Sequence, residues 1–394
     1  MVNQIKRANL VFDFTRMIPG GGNGGIKVHL FSFLEELIRF HQRYRISILC
    51  EESLISELGF LSSFHMDNQI HIIRPKGKVD IRSVADRLPI IKIWHDPPGN
   101  LLSQIGADLM YAGFGFSEFH DKTVPQIGLI PDCLHCDLPD HLPEGEVKAR
   151  NFWFPVAIEQ ANLVQTNSDF CVSRLATCFS LPKEKALRMY LPLHERFAEI
   201  NATKLPAFLD REPYFFYPAN YWPHKNHELL LIAYQKYVHG TDDYPWKLVL
   251  SGDDSIENGP QSKELANALG ISEHVHFLGH LPIEDLKQIW KYADAMVFPS
   301  LYEGFGLPTI EAMHFQTPMA CSNVASLPEV AGDAAIYFDP RKPTEIADAF
   351  LKLSSDSDLR KSLQKACVAR LPIFSLNREM DKVISAIDGL INAK

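Results

Sequence analysis

Six short apolar runs in the second half of the chain, at residues 214–217, 247–251, 274–277, 295–298, 319–322 and 335–338, are interleaved with stretches of helical spacing at 228–237, 261–269, 284–292, 309–314 and 344–354. A strand buried on both faces reads as an unbroken apolar run, and strands that alternate with helices join through crossovers into a parallel sheet. The first half repeats the pattern, with strands expected at 9–15, 46–50, 69–73, 107–112, 125–130 and 163–166 and helices at 27–40, 147–161 and 169–178. The fold class that follows is α/β, with two doubly wound parallel-sheet domains. A chain of 394 residues is also longer than one core of ordinary size supports. Polar, proline-containing residues 195–213 make the best linker, which puts a first domain at 1–205 and a second at 206–374. An amphipathic run within 375–394 suits a last helix that crosses back over the first domain. A cleft between two such domains is the natural place for a ligand.

Composition narrows the partners. Hydrophobic residues make up 46% and charged residues 22%, and no run of eighteen apolar residues could span a bilayer. The start, Met-Val-Asn-Gln-Ile-Lys-Arg, leads into a strand-like run without a signal-peptide core, and the seven cysteines are odd in number and scattered. Both features point to reduced thiols and the cytoplasm. A net charge of -9 argues against nucleic acid. His41, Arg43 and Arg45 form a basic cluster that could give peripheral contact with an anionic membrane at its inner face, although such clusters are usually solvated helix ends.

The run from Phe298 to Met313 joins the strand at 295–298 to the next helix through a glycine-rich turn bracketed by Glu303 and Glu311. Gly304 and Gly306 would let backbone amides approach a ligand, and Pro308 fits the first turn of the helix. Free amides there suit an anion, while carboxylates suit sugar hydroxyls. The plainer alternative makes Glu303 a solvated loop residue and Glu311 a first-turn carboxylate favoured by the helix dipole. The combination of strand end, two glycines, proline and two acids favours a site for a phosphorylated ligand.

Three further segments carry possible chemistry. Gly20 to Gly25 contains G-x-G-x-x-G, the pattern of a nicotinamide dinucleotide site in a dehydrogenase, yet its first glycine follows the strand several residues too late for the tight turn. A flexible loop or a backbone nest for a phosphate across the cleft is the remaining choice. Lys225, in Tyr-Trp-Pro-His-Lys-Asn-His, follows the first strand of the second domain and can approach the same pyrophosphate as the Glu303 turn. Residues 131–141 offer Cys133, Cys136, two histidines and three aspartates, but no matching second half of a zinc site. Asp132 and His135 are expected to project into the cleft, with the cysteines as packing residues, and no metal is expected.

Together these segments resemble the retaining glycosyltransferases of family four, nucleotide-sugar enzymes with two Rossmann-like domains in the GT-B arrangement. The resemblance covers nearly the whole chain and is strongest from Tyr214 to Pro340. The family's E-x7-E element matches Glu303 and Glu311, which implies Glu303 near the donor sugar and Glu311 on the ribose hydroxyls, with amides of Phe305, Gly306 and Leu307 on sugar and phosphate. Lys225 matches the pyrophosphate lysine. Asn220 stands where many members carry arginine, with His224 as a partial substitute. His276 to Leu281, ending in His280 and Leu281, resembles the strand and turn that hold the nucleobase. Gly24 and Gly25 resemble the G-G-I loop that approaches the donor phosphate.

The departure is Pro131, at the position of the family's His-Asp histidine; the pattern P-D-x-x-H of a subgroup implies His135 as the active-site histidine instead. The resemblance implies metal-independent, retaining transfer of a hexose, mannose from GDP-mannose before a UDP-hexose, to a saccharide or lipid-linked acceptor in surface polysaccharide assembly. Acceptor choice would fall to variable loops at 13–16 and 76–100. A catalytically silent nucleotide-sugar-binding or partner subunit is the alternative that Pro131 and Asn220 raise.

Overall fold

Parallel strands need a covering crossover between them, and among the described residues helices such as α1 and α4 supply it. The computed structural model describes residues 7–19, 24–63, 68–75, 91–193, 197, 212–255 and 258–393. The first sheet and its helices run β1 (Ala8–Asp13), α1 (Gly24–Phe40), β2 (Tyr44–Cys50), β3 (Gln69–Ile73), β4 (Ile91–Trp94), α2 (Leu101–Gln104), β5 (Leu109–Ala112), β6 (Gln126–Leu129), α3 (Leu134–Asp137), α4 (Glu144–Gln160), β7 (Leu163–Thr166), α5 (Asp169–Phe179) and β8 (Ala186–Arg188). The strand order is β4-β3-β2-β1-β5-β6-β7-β8, all parallel.

The second sheet follows with β9 (Tyr214–Pro218), α6 (His227–Gly240), β10 (Lys247–Ser251), α7 (Gly259–Ala268), β11 (Val275–Phe277), α8 (Ile283–Tyr292), β12 (Ala295–Phe298), α9 (Leu307–His314), β13 (Met319–Ser322), α10 (Leu327–Ala331), β14 (Ala335–Phe338), α11 (Pro343–Ser355) and α12 (Ser357–Arg370), and α13 (Leu376–Asn392) ends the described chain. Its order is β11-β10-β9-β12-β13-β14, again all parallel. The two expected α/β domains are therefore present. The expected boundary near 205 and most of the expected linker lie outside the described residues.

The strands that form are the apolar runs, because β9 buries Tyr214, Phe215, Phe216 and Tyr217 completely between helices. Phe215 meets Phe350 of α11 edge-on at 4.7 Å, and each such ring contributes about 1.5–3 kcal/mol by burial. Two strands were not anticipated, β4 and β8. Lys92 and Ile93 in the middle of β4 are exposed, as befits an edge strand, and β8 is only three residues long, so neither shows an apolar run. The helix α12 was missed for a similar reason: Leu363 and Cys367 are its only buried residues.

The last helix packs on the first domain. Met380, Val383, Ile384 and Ile387 join the core built by Leu10, Phe12, Ile46 and Ile48. Glu379, wholly buried, accepts hydrogen bonds from the Tyr190 N–H at 2.8 Å and from Arg188 Nη1 at 3.3 Å. Strand order reverses beside β1 and beside β9, and at such switch points the loops leaving the strand ends diverge and open a crevice.

Candidate active site

The loops after β9 and β12 form one wall of the crevice. Gly306 caps α9 with φ of +91°, and a Cβ there would lie 2.6 Å from Leu327 Cδ2, so backbone and space both require glycine. This turn leaves the Leu307 amide without a helical acceptor at the positive end of the helix, since Pro308 has no N–H and the Thr309 N–H donates to the Gly306 carbonyl at 2.9 Å. The loop after β9 enters α6 through Asn226, also left-handed at φ +63°, whose side-chain amide donates to the carbonyls of Pro299 at 3.0 Å and Pro340 at 2.9 Å. Asn226 thereby ties its loop to that of β12 and places Lys225, whose Nζ lies 2.6 Å from Glu303 Oε1. The side chains of this pair are 19% and 10% exposed, so it is largely withdrawn from water at the cleft surface. Glu311, on α9, accepts from the Trp290 indole N–H at 3.1 Å. Trp290 is fully buried and edge-on to Phe216 at 4.9 Å, which fixes the direction of that bond.

The facing wall comes from the first domain, and the two walls touch. The Gly304 carbonyl accepts from Ser168 Oγ at 2.7 Å and Cys171 Sγ at 3.2 Å, and the Tyr302 hydroxyl accepts from the Cys133 N–H at 2.9 Å. The Glu329 carboxylate of α10 caps α5 through the Asp169 and Phe170 amides at 2.7 and 2.9 Å. Glu303 thus sits between two residues that are both bonded to the other domain. Asp132 Oδ1 accepts from its own loop at Leu134 N and from Arg150 Nη1, both at 3.0 Å, and Arg150 also pairs with Glu146 at 2.6 Å. The space enclosed is about 700 Å³, enough for a nucleotide-sized ligand.

Most of the residues singled out in the sequence converge there. Lys225, Glu303, Glu311, Asp132, Gly25, Asn220, His224, Phe305, Gly306, Leu307, His280 and Leu281 all line the cleft, and Gly24 opens α1 beside Gly25. Residues 20–23 of the glycine cluster and 76–90 of the expected acceptor stretch lie outside the described residues.

Two expectations need correction, those for His135 and His224. His135 does not line the cleft: its ring is 2% exposed, edge-on to Phe154 at 4.9 Å and stacked on Phe179 at 5.6 Å, because α3 turns it behind the Asp132 loop. Gly304 lines the cleft and is also constrained by the other domain, since a Cβ there would stand 2.7 Å from the Pro131 carbonyl and 2.9 Å from Asp132 Cβ. His224 cannot lend the charge of an arginine, because burial and then the neighbouring Lys225 push its imidazole down to about 3. Asn220 acts as a loop brace, its Oδ1 accepting from the Asp253 N–H at 2.9 Å.

Sequence reasoning missed His29, Ser168 and Tyr302. His29 lies one turn beyond Gly25 and lines the cleft; its spacing of four from that glycine was the available signal. The other two act through contacts between distant segments, which no local pattern reveals. For the cysteine- and histidine-rich stretch, no group of three or more His, Cys, Asp or Glu placed to hold a metal occurs among the described residues. The gap from the end of β1 at Asp13 to the start of α1 at Gly24 is also too long for the dinucleotide turn.

Solved structures share this architecture. A glycosyltransferase from Rickettsia africae ESF-5 superposes with a TM-score of 0.70 at 15% identity, covering 99% of this chain and 100% of that one. Anabaena Alr3699/HepE, solved in complex with UDP and glucose, gives 0.68 at 14% identity, covering 97% and 100%. The protein has the GT-B fold. Residues 202–368 match the family described as glycosyl transferases group 1. O-antigen chain mannosyltransferase B of Escherichia coli is 31% identical over 256 residues, which are 63% of this chain and 66%, just short of two thirds, of that relative. Over residues 202–368, which make up most of its second domain, the chain is similar to the group 1 glycosyl transferases.

Proposed function

We propose that this protein is a retaining hexosyltransferase that moves a hexose, mannose before others, from a nucleoside diphosphate sugar to a hydroxyl of a glycan or lipid-linked saccharide in surface polysaccharide assembly. The observation that carries this reading is the Lys225–Glu303 pair, 2.6 Å apart beside the start of α9, with Glu311 further along the same helix. A bound diphosphate competes with Glu303 for Lys225. Its arrival frees the carboxylate to accept from sugar hydroxyls, while Glu311 takes the ribose. Charge on the departing diphosphate is balanced by Lys225 and the Leu307 amide at the start of α9, donors worth roughly 3 kcal/mol each when preorganised, and the reading needs no metal. The departing phosphate oxygen takes the acceptor proton on the same face, so retention follows without an enzyme nucleophile.

Mannose and polysaccharide assembly draw support from the name of the E. coli relative, which favours GDP-mannose; the UDP in the Anabaena structure keeps a UDP-hexose as the alternative donor. The reaction would take place in the cytoplasm, at or near the inner face of the membrane. Among the described residues no helix is long and apolar enough to cross it.

Purified protein incubated with GDP-mannose or a UDP-hexose and a lipid-linked saccharide should release nucleoside diphosphate, and the product should keep the donor's anomeric configuration by NMR. An inverted product would overturn the mechanism. Donor binding without any turnover would favour the silent-subunit reading, for which Pro131 and the braced Asn220 are the motivation.

A further inference from the structure

His29 belongs to none of the motifs above, yet it stands on the first-domain wall of the cleft with only 8% of its surface exposed. Its ring stacks on Phe33 of the same helix at 6.3 Å. Behind it lie two wholly buried polar residues, Gln165 on β7 and Tyr111 on β5. The Tyr111 hydroxyl donates to Gln165 Oε1 at 3.0 Å, which turns the amide nitrogen of Gln165 toward Met189 Sδ at 3.4 Å and His29 Nε2 at 3.3 Å. An amide nitrogen can only donate, so Nε2 is the acceptor and the neutral imidazole carries its proton on Nδ1. Burial pushes His29 down to about 4, which keeps the ring uncharged at neutral pH.

His29 shares its side of the cleft with Leu307, Ile310 and Glu311 of α9. A Cβ on Gly25, one turn before His29, would touch Leu307 Cδ1 at 3.4 Å, so this face of α1 meets the start of α9, where the Leu307 amide has no helical acceptor. A neutral donor there adds a hydrogen bond to an anion without the desolvation of a second buried cation beside Lys225. A Tyr–Gln–His chain inside a sheet would otherwise be a needless burden, since an apolar trio packs as well.

We infer that His29 donates a hydrogen bond from Nδ1 to the diphosphate of the bound nucleotide sugar, and that Tyr111 and Gln165 position it by fixing its tautomer. The inference rests on the donor reading above and adds a first-domain ligand to it.

Calorimetric titration with GDP and UDP, and with guanosine and uridine as probes that lack the diphosphate, tests it on the full chain. His29→Leu should weaken binding of the preferred nucleoside diphosphate about tenfold and leave the nucleoside unchanged. His29→Asn, whose amide nitrogen falls near the δ position, should recover most of that loss. Gln165→Leu should cost roughly three- to tenfold in diphosphate affinity, and nothing when combined with His29→Asn, because asparagine has no tautomer to set. Should Gln165→Leu fail to fold, Tyr111→Phe, which removes only a hydroxyl, replaces it in the same cycle. An equal effect of the Gln165 change in the wild-type and His29→Asn backgrounds makes Gln165 a packing residue and overturns the relay. Wild-type diphosphate affinity in His29→Leu overturns the inference while the donor reading stands; a wild-type protein that binds neither GDP nor UDP overturns both.

Discussion

Replacing Gly304 with alanine should separate catalysis from folding. The added Cβ would lie 2.7 Å from the Pro131 carbonyl oxygen and 2.9 Å from Asp132 Cβ, where ordinary contact begins at 3.4 Å. The facing wall must therefore give by 0.7 Å at Pro131 and 0.5 Å at Asp132, and neither atom is the free end of a flexible side chain. Forcing such a group into a packed core costs about 1–3 kcal/mol, but here the obstruction lies between domains. Opening the interface relieves it at the expense of the Ser168–Gly304 and Tyr302–Cys133 hydrogen bonds, each worth about 0.5–1.5 kcal/mol net. Each domain keeps its own core, so thermal unfolding should shift little. Glu303, held between Tyr302 and Gly304, moves by a similar fraction of an ångström, and kcat/KM should fall roughly ten- to a hundredfold. The assay is steady-state nucleoside diphosphate release alongside a thermal melt. Gly145→Ala in α4, where a Cβ meets nothing within 4 Å, is the control. Activity of Gly304→Ala within about twofold of wild type would refute the argument that the interdomain contact places Glu303.

Lys225→Ala should lower kcat by roughly 10²–10³-fold, measured with saturating donor; a change confined to KM would mean that the ammonium does not act on the leaving group. Trp290→Phe keeps an aromatic ring in the core but removes the N–H that Glu311 accepts at 3.1 Å, together with part of the buried indole, so the donor KM should rise about threefold to tenfold with kcat little changed. An unaltered KM would separate Glu311 from ribose binding. Burial holds His29 at about 4 and His227 at about 3 in the fold, below the imidazole value of about 6.5 in an unfolded chain. Between about pH 6.5 and 4 the unfolded chain therefore binds protons that the native one refuses, and stability falls with falling pH by up to about 1.4 kcal/mol per unit for each ring. Melting temperatures that stay level from pH 7.5 to 5 would contradict this.

What the sequence revealed depended on how local each cause was. Glu303, Glu311 and Lys225 were legible because strand end, glycine turn and helix start are consecutive in the chain, and the doubly wound sheet brings two such ends together. The strands at 163–166 and 247–251 form over the residues expected, since both are buried runs. Gly304 was read only for its approach to a ligand, because its second constraint comes from Pro131 and Asp132, more than 170 positions earlier. His135 misled because a short helix after Asp132 turns the side chain into an aromatic pocket, and sequence distance alone cannot tell the two sides of a loop apart. The Tyr111–Gln165–His29 chain links three separate elements of the first domain and leaves no mark on any single segment.

Since α13 comes back to complete the core of the first sheet, the polypeptide passes between domains twice, once between β8 and β9 and again between α12 and α13. For recombination among related enzymes this makes the second domain an insert with two seams. A chimaera made at the first seam alone would import a foreign α13, whose apolar face must then match Leu10, Phe12, Ile46 and Ile48 of a sheet it never evolved with. Transplanting 212–374 as a cassette leaves the native helix on its own sheet and limits mismatch to the cleft surfaces and to Leu191 and Phe197, which pack into the core of the second domain.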